Sequence, residues 1–271
     1  MANDGNGLPD IGIKLARAEK HLHEALAALA KSGRGECTIT LERDEGLQMV
    51  VQRIHLAPSA SPEISAIAGD FFSNIRSALD YVVWGLVLNN PPNQPGPSNQ
   101  FPITNSPVEF SDQIERKRLR GVPDEAVKVI EMLQPYQDRH NPLEILNKLV
   151  NIDKHRTLNV VSVVADNTDV VSQSGEFALF LGDEELRDGE VFGGIGIPFN
   201  MLPMFPEFET RRPEVIMQGQ CSIFLAFDDP TAERLEKFRV DTILQRIYQF
   251  VTSEALPEFD KFFIAKAAGN E

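Results

Sequence analysis

The chain has 271 residues, of which 42% are hydrophobic and 24% charged, and its formal net charge is −14. This composition is typical of a globular protein with a sizeable core. The acidic balance excludes a general nucleic-acid coat protein, because phosphate contacts need a basic surface, although it leaves room for a locally basic cleft. No apolar run reaches the ~18 residues of a membrane-spanning helix, and the N-terminus lacks the features of a secretory signal. We therefore expect a cytoplasmic protein without a membrane partner.

The first half of the chain predicts helices around one β-hairpin. Residues 1–10 are small and polar, which predicts disorder. Apolar residues recur at helical spacing over Ile11–Lys31, and two alternating segments within residues 36–57 predict a hairpin. A long helix then runs to about Leu88. The loop that follows, NNPPNQPGP, cannot be helical, and Phe101-Pro102-Ile103 should return it to the core.

The rest of the chain predicts short helices, one further long helix and then a sheet. Short helices are predicted near 108–119 and over 124–133, and Pro142 opens the next long helix. Four β-rich segments follow, the last of which, Val215–Phe227, is long enough for two strands with Gly219 at a bend or bulge. A closing helix is predicted within Thr231–Phe263. The fold class is therefore α+β, with a helical region to residue 165 and a β-rich region over 166–271, together forming one compact unit.

Two predicted helices, Asp70–Leu88 and Leu143–Val164, carry dense polar chemistry among core-forming aliphatic residues; we call them the polar helices. Burying such groups is costly unless they pair with each other or serve a site. Arg76 and Asp80 are four residues apart and can pair along the helix. A polar layer that only fixes helix register is the alternative to a functional site. The candidate residues are Asp70, Asn74, Arg76, Asp80 and Tyr81 on the first helix, and Asn147, Asn151, Asp153, His155 and Arg156 on the second.

The polar helices contain two motifs that resemble those of a group of uncharacterised bacterial proteins. The segment NIRSALDY, residues 74–81, resembles N-x-R-S-A-L-D-[HY], and NIDKHR, residues 151–156, matches N-I-D-K-H-R. The resemblance spans about Asp70 to Arg156 and includes the FPI segment between the motifs. The group carries no established activity.

More remotely, an arginine followed by four residues and a histidine on a helix resembles the HEPN superfamily. That resemblance implies a dimerising helical domain, RNA as a partner and, in many members, metal-independent RNA cleavage without a cofactor. Arg76 would stabilise the phosphate, and a histidine would act as general acid or base. Tyr81 stands where this family has histidine, and tyrosine is a poor base at neutral pH. His155 could supply the imidazole if it approaches Arg76.

Other features have simpler interpretations. Cys37 and Cys221 are predicted to be buried reduced thiols. The histidines lack the spacing of a metal site, so no metal is expected. The basic cluster Arg116, Lys117, Arg118 and Arg120 is explained at least as well by a solvated turn as by an RNA contact.

Two functions therefore remain open. The first is a HEPN-like protein that binds or cleaves RNA. If it is an enzyme, we expect a metal-independent endoribonuclease of a defence or toxin system. Its candidate catalytic residues are Arg76, His155 and Tyr81. The second is a non-catalytic binding or scaffold protein whose polar helices are structural, with Asn89–Pro97 and Pro198–Phe208 as candidate contact surfaces.

Overall fold

The structure, a computed structural model, describes residues 8–30, 34–57, 62–138, 141–155, 158–164, 169–172, 178–180, 185–204, 206, 214–228 and 238–264. Helices and antiparallel strands both occur in these ranges, which confirms the α+β class. The described residues of Met1–Ala25, Ser65–Leu158 and Thr242–Glu271 form one compact unit, and those of Leu26–Ile64 and Asn159–Asp241 form a second. None of the described helices is long and apolar enough to cross a membrane.

The first unit contains most of the helical structure. In chain order, the α-helices of the described residues are α1 Leu8–Leu29, α2 Pro62–Leu88, α3 Pro107–Glu115, α4 Asp124–Met132, α5 Pro142–Asp153, α6 Val240–Gln249 and α7 Asp260–Ile264. A π-helical stretch, Phe250–Ala255, directly follows α6. The long helix predicted to end near Leu88 is confirmed as α2.

Helix α2 supplies many of the large side chains that are fully buried, among them Phe71, Phe72, Ile75, Leu79 and Leu86. The loop after α2 returns to this unit's core, as predicted, because Phe101 is fully buried and packs edge-on against Phe259, with ring centroids 6.4 Å apart. Burial of apolar side chains of this size stabilises the unit by roughly 1.5–3 kcal/mol for each. The burial of Phe101 therefore holds the polar residues on either side of it in position.

The second polar helix is shorter than predicted. Asn141 caps its start, with Oδ1 accepting the Leu143 N–H at 2.9 Å, and Pro142 takes the first helical position. The helix ends at Asp153, and Val160–Val164 is a strand instead of its last turn. The prediction of a helix to Val164 is wrong because this run is rich in valine, whose β-branched side chain favours a pleated strand.

The second unit is built on an antiparallel sheet. Its strands are β1 Arg34–Asp44, β2 Met49–Ala57, β3 Val160–Val164, β4 Asp169–Ser172, β5 Ala178–Phe180, β6 Leu186–Arg187, β7 Val191–Pro198 and β8 Glu214–Phe227. The order β5-β4-β8-β1-β2-β7 forms the main path, while β3 pairs with β8 and β6. The predicted hairpin is confirmed as β1 and β2, which pair from Glu36 opposite Ala57 to Asp44 opposite Met49.

Strand β8 corrects one prediction about the sheet. It is a single strand of 14 residues whose first part pairs with β1 and whose last part pairs with β3. Gly219 lies in regular register opposite Cys37, and the irregularity in this pairing falls between Ile39 and Thr40 instead. Cys37 is buried, as predicted, in a cluster with Ile39, Ile54 and Leu56.

Candidate functional site

A concave pocket of about 280 Å³ lies within the first unit. Its walls come from α2, the segment 100–103, the end of α3 with the turn that follows, and α5. Four of its lining side chains are cationic and four carry amides. We call it the cationic pocket; it is lined by Arg76, Gln100, Phe101, Pro102, Ile103, Gln113, Arg116, Arg118, Asn147, Val150, Asn151 and Lys154.

One face of α5 forms a wall of this pocket. Asn147, Val150, Asn151 and Lys154 are spaced at i, i+3, i+4 and i+7, which places them on the same side of the helix. Val150 is buried, whereas Asn151 and Lys154 are exposed. The helix therefore contributes two amides and one ammonium group to a single surface.

The turn after α3 contributes two of the pocket's cations. This helix ends at Glu115, earlier than the predicted 119, because Lys117 adopts a left-handed conformation with φ 62°. The Lys117 N–H donates to the Ile114 carbonyl at 2.8 Å, and the Arg118 N–H donates to the Gln113 carbonyl at 3.1 Å. These are the two hydrogen bonds of a Schellman motif, which usually has glycine at the left-handed position. The turn brings Arg116 and Arg118 to the same pocket.

The segment before Phe101 holds this turn in place. Gln100 donates its backbone N–H to the Arg118 carbonyl, and its side-chain Oε1 accepts from Arg118 Nη1 at 2.7 Å. The Asn99 amide donates to the carbonyls of Arg118 and Arg120 at 3.2 and 3.0 Å. The Arg118 guanidinium is consequently oriented before any ligand binds.

Arg76 is held by a three-way contact with Asp80 and Phe101. Its Nη2 lies 3.2 Å from Asp80 Oδ1 and also donates to the Phe101 carbonyl. The same Asp80 oxygen accepts the Phe101 N–H at 2.8 Å. The Arg76 side chain is only 18% exposed, so these contacts fix a largely buried cation at the pocket wall. The predicted pairing of Arg76 with Asp80 is confirmed.

A buried amide on α4's C-terminal side anchors the neighbouring wall. The Gln134 amide donates to the Pro102 carbonyl at 2.9 Å, and its Oε1 accepts the Thr104 N–H at 2.9 Å. Gln134 is fully buried. Because buried polar groups of this kind are costly to leave unpaired, these bonds keep the segment 101–104 in one position.

The charged side chains that line the pocket are all positive. Among the described residues that line it, four are cationic and none is a carboxylate. The side chains of Arg116 and Lys154 form no hydrogen bond or ion pair with any described residue. Burial lowers the pKa of Arg76 and the charge of Arg118 lowers it further, against the opposing effect of Asp80. Cations that repel one another in a partly desolvated space favour the entry of an anion.

Asp80 forms the ion pair with Arg76, and it does not line the pocket. Burial raises its pKa above the ordinary value, although Arg76, the Phe101 N–H, Lys154 and Arg118 all act in the opposite direction. The described lining therefore carries a net positive charge, within a chain whose overall charge is −14.

Several predicted site residues lie outside the pocket lining. The Asn74 amide donates to the Asp70 carbonyl of its own helix at 2.7 Å, and the Asp70 side chain is exposed. Tyr81 is 37% exposed. His155 is exposed in the turn after α5, directly after Lys154. Arg156 lies outside the described residues.

Asp153 lies against α2 at a glycine. A Cβ placed on Gly69 would come within 2.6 Å of Asp153 Oδ1, so the absence of a side chain there makes room for the carboxylate. Burial and the charge of Asp70 together raise the pKa of Asp153. This contact belongs to the packing of the two polar helices and does not reach the pocket lining.

Sequence reasoning identified part of the pocket and missed the rest. It named Arg76, Asn147 and Asn151, and it left Arg116 and Arg118 open between a solvated turn and an RNA contact. It missed Lys154, together with Gln100 and Gln113. Lys154 could have been found, because it follows Asn147 by seven residues and Asn151 by three on one helical face.

A second polar cluster lies in the second unit, on the β1–β2 hairpin. We call it the hairpin cluster: Thr40, Glu42, Asp44, Arg53 and His55. His55 Nε2 lies 2.7 Å from Glu42 Oε1 and 3.1 Å from the Thr40 hydroxyl, which itself donates to the same Glu42 oxygen at 2.5 Å. A nucleophilic relay needs the imidazole between hydroxyl and carboxylate, contacting them through different nitrogens. The hairpin cluster lacks that geometry.

Within the described part of the chain, no group of three or more His, Cys, Asp or Glu side chains is placed to hold a metal ion. No family model, curated protein or solved structure matches this chain.

Proposed function

We propose that the protein binds RNA by holding phosphate groups in the cationic pocket. The observation that carries this proposal is the convergence of four cations on a pocket without a lining carboxylate. Arginine presents planar pairs of N–H donors that match phosphate oxygens, and lysine adds a compact charge. The amides of Gln100, Gln113, Asn147 and Asn151 offer further hydrogen-bond donors.

The resemblance of the α2 motif to the HEPN superfamily supports RNA as the ligand, since Arg76 takes the position of that family's phosphate-binding arginine. Net acidity does not oppose the proposal, because phosphate contacts depend on local charge. The acidic remainder of the surface would limit binding to this one place. The homodimer and the bacterial defence role that the resemblance implies stay predictions.

Binding without cleavage fits the pocket better than catalysis does. Cleavage of RNA without a metal needs a general base at the 2′-hydroxyl, and the described lining residues include no imidazole or carboxylate. In the catalytic version of the proposal, His155 or Tyr81 would have to reach RNA that is anchored by Lys154 or Arg76.

The test is RNA binding and cleavage by purified protein in EDTA. We expect saturable binding of a single-stranded RNA, weakened about tenfold by Arg116→Gln, because one phosphate contact is lost. Lys128→Gln is the matched control, since Lys128 is an exposed cation on α4 that does not line the pocket. Absence of binding, or equal binding by both variants, would contradict the proposal. Cleavage that disappears in His155→Ala would establish the catalytic version.

A scaffold function is the second candidate, and a specific observation favours it. The Arg76 guanidinium is engaged by Asp80 and the Phe101 carbonyl, as expected of a structural contact. In the second unit, Met201 and Met204 are 41% and 71% exposed within the predicted contact surface 198–208. A folded protein that binds no RNA would leave this candidate standing.

A further inference from the structure

We infer that the cationic pocket selects the terminal phosphate of an RNA over the phosphates within its chain. This inference rests on the proposed function and names the part of the RNA that the pocket holds. It follows from the size of the pocket, from the number of charges that face it and from the chemistry that its lining lacks.

The size of the pocket limits what can enter. Its volume of about 280 Å³ lies just below the roughly 300–1,000 Å³ that is typical of small-molecule sites. A phosphate at the end of a strand can enter such a concavity with its ester bond pointing outwards. An internal phosphodiester has two ester bonds, so both flanking nucleotides must pass the rim, and a groove suits it better than a pocket.

The charges favour the same group. A phosphomonoester carries a charge of about −1.5 to −2 at neutral pH and three terminal oxygens. An internal phosphodiester carries one charge and two such oxygens. Three guanidinium groups and one ammonium group line the pocket from three segments of the chain, so each additional anionic oxygen finds a donor. Electrostatic attraction scales with the ligand's charge, which makes the doubly charged terminus the better match.

The described lining offers no exposed aromatic ring on which a base could stack. Its one aromatic residue, Phe101, is fully buried against Phe259, so its ring is not available for stacking. Sequence-tolerant binding of single strands usually depends on exposed aromatic rings on which bases stack. The described lining is instead limited to cations, amides and short apolar contacts, which suit a phosphate group.

The experiment compares three single-stranded RNAs of one sequence with an internal fluorescent label: one with a 5′-phosphate, one with a 3′-phosphate and one with hydroxyls at both ends. Fluorescence anisotropy at fixed ionic strength measures their dissociation constants. We expect at least one phosphorylated RNA to bind about tenfold more tightly than the hydroxyl-ended RNA. Arg116→Gln and Lys154→Gln, both at exposed positions, should remove this preference, and Lys128→Gln should keep it.

Two further results separate the possible failures. Equal binding of all three RNAs, still weakened by Arg116→Gln, would overturn the inference and leave the proposed function intact. Failure of all three to bind would overturn both. Adenosine 5′-monophosphate, which carries the same phosphomonoester, should compete with the phosphorylated RNA, and adenosine should not; equal competition by adenosine would mean that the pocket binds the nucleoside and would overturn the inference.

Discussion

The hairpin cluster and the cationic pocket use the same kinds of charged side chain in opposite arrangements. In the hairpin cluster, Arg53 lies 2.5 Å from Asp44 and 3.4 Å from Glu42, and it also donates to the Gly189 carbonyl. In the pocket, only Arg76 has a carboxylate partner, while Arg116 and Lys154 form no ion pair with a described residue. The hairpin cluster pairs its arginine with two carboxylates, whereas two of the four pocket cations have no ion pair among the described residues.

The carboxylates beside these two arginines, Glu42 and Asp80, have pKa values that are shifted in opposite directions. Burial by itself raises the pKa of Glu42, but hydrogen bonds from Thr40 and His55 and the charges of His55 and Arg53 outweigh it, so the pKa lies below its ordinary value. Burial raises the pKa of Asp80, and its partners do not cancel that effect. The comparison teaches that a candidate site is indicated by charged side chains without ion-pair partners and not by the number of charges.

The largest effect should come from removing each arginine. Arg76→Met removes the donor to the Phe101 carbonyl and the ion-pair partner of Asp80, which keeps only the Phe101 N–H, and we expect it to lower the free energy of unfolding by about 2–3 kcal/mol. Arg53→Met should cost about 1 kcal/mol, because Glu42 keeps its bonds to Thr40 and His55. Denaturant titration measures both. Equal losses would mean that the two arginines are held alike.

Inorganic phosphate should stabilise the protein through the pocket. At ten times its dissociation constant, a ligand that binds only the folded state adds about 1.4 kcal/mol. We expect a higher melting temperature in phosphate than in sodium chloride of equal ionic strength. The double variant Arg116→Gln/Lys154→Gln should lose this increase, whereas Arg53→Gln should retain it. An increase that survives the double variant would place the phosphate elsewhere.

Both regions contain a non-glycine residue at positive φ. Substitutions at these two residues can separate the effect of backbone conformation on stability from the effect of charge. Lys117 has φ 62° in the turn that carries the pocket arginines, and Gln48 has φ 55° in the hairpin turn. We expect Lys117→Gly and Gln48→Gly each to stabilise the fold by roughly 0.5–1 kcal/mol, because glycine adopts this conformation without a Cβ penalty. Lys117→Ala supplies the control for lost charge and should bring no such gain.

The smallest effect is a pair of opposite pH dependences. Glu42 has a lowered pKa, so its contribution to stability is present above its unfolded-state pKa and is lost as pH falls through the folded-state value. Asp80 has a raised pKa, so its contribution is complete in acid and is lost as pH rises through the folded-state value. The cost of Glu42→Gln should therefore grow with pH and that of Asp80→Asn should shrink, each by less than about 1 kcal/mol. Parallel slopes would contradict the assignment.

Local patterns in the sequence were sufficient for most elements of the fold. The hairpin followed from alternation over 36–57, and the end of α2 followed from the proline-rich loop after Leu88. The error over Val160–Val164 arose because a short apolar run suits a helix or a strand, and pairing with the distant β8 decided between them. The regular register of Gly219 in β8 also depends on a long-range pairing, in this case with Cys37 of β1.

The pocket was harder to predict because it depends on contacts between distant segments. Arg76 and Asp80 are close in sequence, so their pairing was predictable. Arg116 and Arg118 join them only because Lys117 adopts a left-handed conformation and Gln100 binds Arg118 from 18 residues away. The sequence marks the basic cluster but not the direction in which its side chains point.

The most direct test of the account is a titration of inorganic phosphate followed by NMR of the arginine side-chain N–H groups. The account predicts saturable shifts of the signals of Arg76, Arg116 and Arg118 with one shared dissociation constant, and an unchanged signal from Arg53. Shifts of Arg53 equal to those of the pocket arginines, or no saturable shift in any of them, would contradict the claim that this pocket is where the protein binds phosphate.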